Sequence, residues 1–227
     1  MTDLLFQEDA TLDHCEATVV AVTSAGVVLD RTVFYPAGGG QPGDTGTLDH
    51  AIVHDTIKGE NGAVVHLCEG ALPAVGETVT ATLDRDRRHA HMRMHTALHL
   101  LSVAIPLPVS GGAIGAEKSR LDFDMPNAPE DRDAIERALN TMIAADHPVT
   151  EEWITDAELA ANPGLVKTMS VQPPTGQGRI RLVRIGDIDL QPCGGTHVAS
   201  TAEIGPVRLG KIEKKGKQNR RVYLHFA

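Results

Sequence analysis

The stretch Arg88 to Leu101, RHAHMRMHTALHLL, constrains this chain more than any other, because it sets His95 and His99 four residues apart in an apolar, helix-forming run. On an α-helix that spacing turns through about 400°, so both imidazoles leave one face about one turn apart. Two nitrogens there can grip one metal ion. Far downstream, QPCGGTH offers Cys193 and His197, where paired glycines allow the tight backbone that lets a thiolate and an imidazole converge. Taken alone, a histidine pair on a helix is more often a polar edge or a satisfied core pair than a site. A second cluster with matching ligand chemistry favours a shared ion. His91 lies one further turn back and is a weaker candidate, since each four-residue step drifts about 40° around the helix.

The chain around this pair reads as two domains, 1–83 and 84–227. From Cys15 to Asp30, β-branched residues flank Ser24-Ala25-Gly26 as in a hairpin, and a further strand is expected at Arg31 to Phe34. Tyr35 to Gly46 follows, with Gly38, Gly39 and Gly40 in a row. Three glycines remove every β-carbon from one patch of backbone, so a ligand or another segment can approach the amides. Neither GxGxxG nor a P-loop lysine accompanies them, so phosphate binding is weakly supported. Thr47 to Leu83 continues as short strands broken by Gly59, Asn61-Gly62, Gly70 and Pro73, which predicts a small antiparallel β-barrel. Asp84 stands where the helix cap is expected.

The second domain reads as α+β, an antiparallel sheet packed with helices. Pro106 and Pro108 stop the histidine helix. Strands are expected at Lys118 to Asp124, Val149 to Ile154, Arg179 to Leu190, Ile204 to Lys214 and Arg221 to Phe226, and helices at Asp131 to Ala145 and Asp156 to Ala161. Ser170 to Gly178 is too rich in Pro and Gly to be regular and reads as a surface loop.

Charge bears on what such a chain binds. The net charge of −9 is awkward for a nucleic-acid partner, since phosphate contacts supply most non-specific affinity. Its distribution relieves the difficulty: residues 1–80 hold twelve acidic side chains against Arg31 and Lys58, and the remainder is nearly balanced. Positive charge gathers at Arg85, Arg87, Arg88 and Arg93, and in the run from Arg208 to Arg221 that includes Lys211, Lys214, Lys215, Lys217 and Arg220. A basic hairpin is commonly a solvated face. Beside a metal site it becomes a track for a phosphate backbone. Three cysteines, Cys15, Cys68 and Cys193, cannot form a paired framework, and a reducing cytoplasm is the expected home. The acidic start does not read as a secretion signal, and no apolar run is long enough to span a bilayer.

Arg88-x-x-x-Met92-x-x-His95-Thr96-Ala97-x-His99-Leu100-Leu101, with Cys193-Gly194-Gly195-Thr196-His197 downstream, resembles the editing domain of alanyl-tRNA synthetase. It resembles still more closely the free-standing alanyl-tRNA editing proteins called AlaX. Thr32-Val33-Phe34-Tyr35-Pro36-x-Gly38-Gly39-Gly40-Gln41-Pro42-x-Asp44-x-Gly46 looks like the glycine-rich module that precedes the editing domain in this family, which implies the medium-length AlaX type. The shortest AlaX proteins and the editing domains of threonyl-tRNA synthetase lack that module. No adenylation module and no long coiled-coil extension are recognisable.

The resemblance implies a hydrolase that cuts the ester joining a wrong amino acid, chiefly serine with glycine as a second error, to alanine tRNA. A pocket built for alanine cannot strongly reject serine, which merely adds a hydroxyl, so a second site must recognise that hydroxyl. His95, His99, Cys193 and His197 are the expected metal ligands, and mixed imidazole and thiolate donors favour zinc. Four bound at once would close the tetrahedron; three would leave a position for water or substrate. Thr32 and Gln41, in the matched module, are the expected readers of the serine side chain, while Thr96 is as well placed to bond back to its own helix. Arg88 and Arg93 are expected either at the tRNA end or paired with Asp84 or Asp86. No Ser-His-Asp arrangement is evident, which favours direct attack by water. Three other readings stay open: a non-catalytic, zinc-stabilised tRNA-binding module, a deacylase of seryl-threonine tRNA, and a metallohydrolase of small substrates.

Overall fold

The structure is a computed structural model that describes residues 1–169 and 178–227, so the loop expected at 170–178 falls almost wholly outside the described residues. The chain divides into two compact units, Met1–His91 and Met92–Ala227.

In the first unit, β1 (Asp3–Leu4) pairs in parallel with β4 (Arg31–Thr32). The strands β2 (His14–Thr23), β3 (Gly26–Leu29), β5 (Gly46–Leu48), β6 (Ala51–Lys58), β7 (Val64–Glu69) and β8 (Thr78–Leu83) close a barrel in the order β2-β3-β7-β6-β5-β8. All its pairings are antiparallel. The expected small barrel is therefore present. Its interior follows from strict alternation: Val79, Ala81 and Leu83 of β8 point in, and Thr78 and Thr82 point out. The strand expected at Arg31 to Phe34 lasts only two residues. Beyond it Thr32 turns its hydroxyl on the backbone, accepting from Phe34 N at 3.0 Å. Gly26 closes the first hairpin at φ +149°, and a β-carbon there would meet His66 O at 2.2 Å. Only glycine fits that crossing.

The glycine-rich turn packs onto the same barrel. Gly38 and Gln41 exchange backbone hydrogen bonds of 3.0 and 2.9 Å, with Gly39 and Gly40 at positive φ between them. A β-carbon on Gly43 would lie 2.1 Å from Thr56 O, so β6 itself occupies the space that this glycine leaves. A β-carbon on Gly39, in contrast, would touch nothing within 4 Å.

Helix α1 (Arg85–Ala104) starts in the first unit and runs on into the second. Asp84 caps it as expected, accepting from Arg87 N at 3.0 Å. From Met94 through Ser102 every residue is buried. A helix covered on all sides belongs to a core.

The second unit adds β9 (Val109–Ala113), β10 (Lys118–Asp124), α2 (Arg132–Ala144), β11 (Val149–Ile154) and α3 (Asp156–Ala161). It then adds β12 (Ile180–Ile185), β13 (Asp189–Pro192), β14 (Val207–Lys214) and β15 (Asn219–Phe226). Asp131 caps α2 through Ala134 N, and Thr155 with Glu158 forms a capping box on α3. The α+β class holds, with two antiparallel sheets instead of one: β14-β15-β10-β9 and β11-β12-β13. The segment expected as one strand from Arg179 to Leu190 folds back at Gly186, which takes φ +47° and lets β13 return along β12. Among the described residues no helix is long and apolar enough to cross a membrane.

Candidate metal centre

His95 and His99 leave α1 on one face, and β13 leads directly into the Cys193-to-His197 turn in the same unit. The four side chains meet. One ligand atom from each of His95, His99, Cys193 and His197 lies within 4.8 Å of all the others. Cys193 Sγ is 3.4 Å from His95 Nε2 and 3.3 Å from His197 Nε2. A tetrahedral zinc with bonds of about 2.0 Å to nitrogen and about 2.3 Å to sulfur places those atoms about 3.5 Å apart, so the residues present fit the ion. His91 is not part of the cluster.

The His99 and His197 rings are oriented by hydrogen bonds on their far nitrogens. Thr96 Oγ1 donates to Met92 O at 2.9 Å, so at 3.1 Å from His197 Nδ1 it can only accept, and Nε2 is left as the free lone pair. The expected back-bond of Thr96 is thus real, and it also serves the site. His99 Nδ1 lies 3.1 Å from Asp189 Oδ2, and Asp189 also accepts from Lys167 Nζ and, at 2.8 Å, from Gln191 Nε2. The turn is tied down by Arg181, whose Nη1 donates to Cys193 O and Gly195 O, each at 2.9 Å. Arg181 itself pairs with Glu151.

Charge at the site is strongly redistributed. Burial opposes ionisation of the Cys193 thiol, but its electrostatic interactions and hydrogen bonds with His95 and His197 carry its pKa well below the ordinary thiol value. Burial likewise disfavours a charged His99, yet its bonds to Asp189 and Cys193 push its pKa up to about 9. His197 moves the other way, held neutral by burial and by repulsion from His95. For Asp189, burial is outweighed by His99, Lys167 and Gln191, and its carboxyl falls to about 2. A cysteine with a lowered pKa among three imidazoles, two of them held by fixed partners, is chemistry suited to a metal ion.

The other expected site residues lie elsewhere in their units. Thr32 is fully buried, with Oγ1 2.9 Å from His66 Nε2. His66 Nδ1 faces Val27 O at 3.1 Å and must donate there, so the Thr32 hydroxyl donates to Nε2. Gln41 is also buried, in the glycine turn. Arg88 pairs with Asp44, not with Asp84 or Asp86, and donates further to Ala10 O at 3.0 Å and Val33 O at 2.6 Å. Arg93 donates to Ile204 O at 2.9 Å and stacks on Phe226 with 4.0 Å to the ring centroid. In the C-terminal hairpin, Lys211 and Lys215 flank Glu213 at 2.9 and 3.0 Å, and Arg220 donates to Pro126 O. Lys214 and Lys217 are exposed.

No local motif marks Asp189, Lys167 or Arg181 as part of the centre. The pairing of β12 with β13 brings Asp189 and Arg181 into place.

Comparison with known proteins agrees with this geometry. Residues 180–223 match the family model described as the threonyl and alanyl tRNA synthetase second additional domain. Residues 7–87 match that of tRNA synthetases class II (A). The chain is 37% identical over 98% of both chains to the alanyl-tRNA editing protein AlaX-M of Methanosarcina acetivorans, and again 37% identical, with 98% of each covered, to that of Saccharolobus solfataricus. It is 36% identical to AlaX-L of Pyrococcus horikoshii, with 96% of this chain matching 56% of that one.

Proposed function

This chain belongs to the AlaX family of alanyl-tRNA editing proteins, and we propose that it acts in trans as a deacylase of alanine tRNA mischarged with serine, and also of that charged with glycine. The observation that carries the reading is the convergence of His95, His99, Cys193 and His197 on one point. Zinc is the proposed ion, and His95, His99, Cys193 and His197 are the residues that would hold it. Once bound, it supplies a fixed positive charge that orders the donors and polarises what approaches.

The chain's own residues do the rest. Thr96 and the Arg181 guanidinium hold the histidine and cysteine turn in one conformation. Thr32 and Gln41 are proposed to read the misplaced side chain, on the strength of their place in the glycine-rich module. A pocket whose polar groups require a hydroxyl leaves them unpaired against a methyl, and so spares correctly charged tRNA. Lys214 and Lys217, with Lys211, Lys215 and Arg220 beside them, are proposed to follow the phosphate backbone. The proposed place of action is the cytoplasm.

The test is to incubate the protein with seryl, glycyl and alanyl esters of alanine tRNA and with seryl-threonine tRNA, with and without a zinc chelator. Rapid, chelator-sensitive loss of the seryl and glycyl esters of alanine tRNA, with the alanyl ester intact, is expected. Survival of every ester would leave a binding module, and loss of seryl-threonine tRNA alone would move the activity to the other tRNA.

A further inference from the structure

We propose that Asp189 is a positioning residue of the metal centre: its carboxylate dictates which nitrogen of His99 carries the hydrogen and turns the other, Nε2, toward His95, Cys193 and His197. The inference rests on the metal reading of those four residues.

Asp189 stands at the first position of β13, with its side chain 0% exposed and Oδ2 3.1 Å from His99 Nδ1. A carboxylate accepts and does not donate, so Nδ1 carries a hydrogen and Nε2 is the nitrogen that would give up its proton to a cation. A carboxylate free to rotate could not fix a ring. This one is held from three sides, by His99, by Lys167 Nζ on Oδ1 and by Gln191 Nε2 on Oδ2 at 2.8 Å. The opposite end of the histidine is fixed as well, since Ser102 Oγ donates to His99 O at 2.7 Å. Removing such a partner typically lowers metal affinity about 10–100-fold.

The experiment measures zinc affinity by competition with a chromophoric chelator for the wild type, Asp189→Ala, Asp189→Asn and Lys167→Met, each checked for a cooperative thermal transition. Ring nitrogen shifts of His99 are read by long-range proton–nitrogen NMR. Asp189→Ala should lose affinity about 10–100-fold. Asp189→Asn should restore most of it, because an amide oxygen still accepts from Nδ1, and Lys167→Met should lose less than Asp189→Ala, because His99 and Gln191 still hold the carboxylate. Should Asp189→Ala fail to fold, the Asn variant and the His99 tautomer in the wild type carry the test. Unchanged affinity in Asp189→Ala, no rescue by Asn, an equal loss in Lys167→Met, or a hydrogen on Nε2 of zinc-loaded His99 would overturn the proposal. If the wild type binds no zinc, the metal reading itself falls and this inference with it.

Discussion

Arg88 and Asp44, 44 residues apart in the chain, form an ion pair in which the two side chains are 3% and 1% exposed. The guanidinium also holds the carbonyls of Ala10 and Val33, so one side chain ties the start of α1 to the glycine-rich turn and the barrel wall. Removing one partner of a buried pair strands the other charge, at a cost of about 3–5 kcal/mol. Arg88→Ala should therefore lower the urea midpoint sharply, and Arg88→Lys should not restore it, lacking the planar fork. An unaltered midpoint would show that the pair contributes nothing.

His66 makes the barrel sensitive to acid. Burial depresses its pKa from 6.5 to about 4, so between those values the unfolded chain binds a proton that the folded one refuses. Stability is complete above about pH 6.5 and declines as the pH falls toward 4, by roughly 3 kcal/mol in all from this group. Urea melts from pH 7 to pH 4.5 should show the decline, and His66→Gln should reduce its slope, the buried His91 keeping a similar share. Equal slopes in the two proteins would exclude His66 as the source.

The Thr32 hydroxyl serves both His66 and the Phe34 amide. Thr32→Val keeps the shape and strands both partners, which should lower stability by roughly 1–3 kcal/mol. If Thr32 also reads the substrate, the same variant should lose seryl-ester hydrolysis at a temperature where it remains folded. Full hydrolysis there would confine the residue to a structural part.

Cys193→Ala removes the sulfur that lies against two imidazoles. Zinc per chain, measured by atomic absorption, should fall to near zero, and deacylation with it. A variant that retained both would remove Cys193 from the ligand set.

Lys214 and Lys215 near the tip of the last hairpin should act on affinity alone. Replacing both by alanine should weaken tRNA binding and reduce the slope of log affinity against log salt by roughly 0.7–0.9 for each phosphate no longer neutralised. Deacylation at saturating tRNA should be unchanged. An unaltered salt slope would place the backbone track elsewhere.

The clustering of His95, His99, Cys193 and His197 was legible in the sequence because helical periodicity puts residues four apart on one face and a Cys-Gly-Gly-Thr-His turn is short enough to bring its two side chains together. Thr96 was half legible: its back-bond is local, whereas its hold on His197 spans 101 residues. Asp189 and Arg181 were silent, since their roles depend on where β12 and β13 lie and not on any spacing near them. Arg88, expected at the tRNA end or beside Asp84 or Asp86, pairs with Asp44 for the same reason, its partner lying in a turn far back in the chain. The strand β9 was hidden by its composition, Val109-Ser-Gly-Gly-Ala, which has neither alternation nor a run of branched residues to mark it. The barrel was readable because its short strands are rich in branched residues and its breaks are marked by Gly, Pro and Asn.

Cys193 stands 98 positions after His95, and a ribosome releases them in order. At about 5–20 residues per second the paired imidazoles of α1 wait roughly 5–20 seconds before the thiol that joins them has been made. The nascent polypeptide is therefore exposed, for that interval, with half a binding site on an unfinished core. A chain truncated before Cys193 would carry two of the four clustered side chains, His95 and His99, and lack the other two.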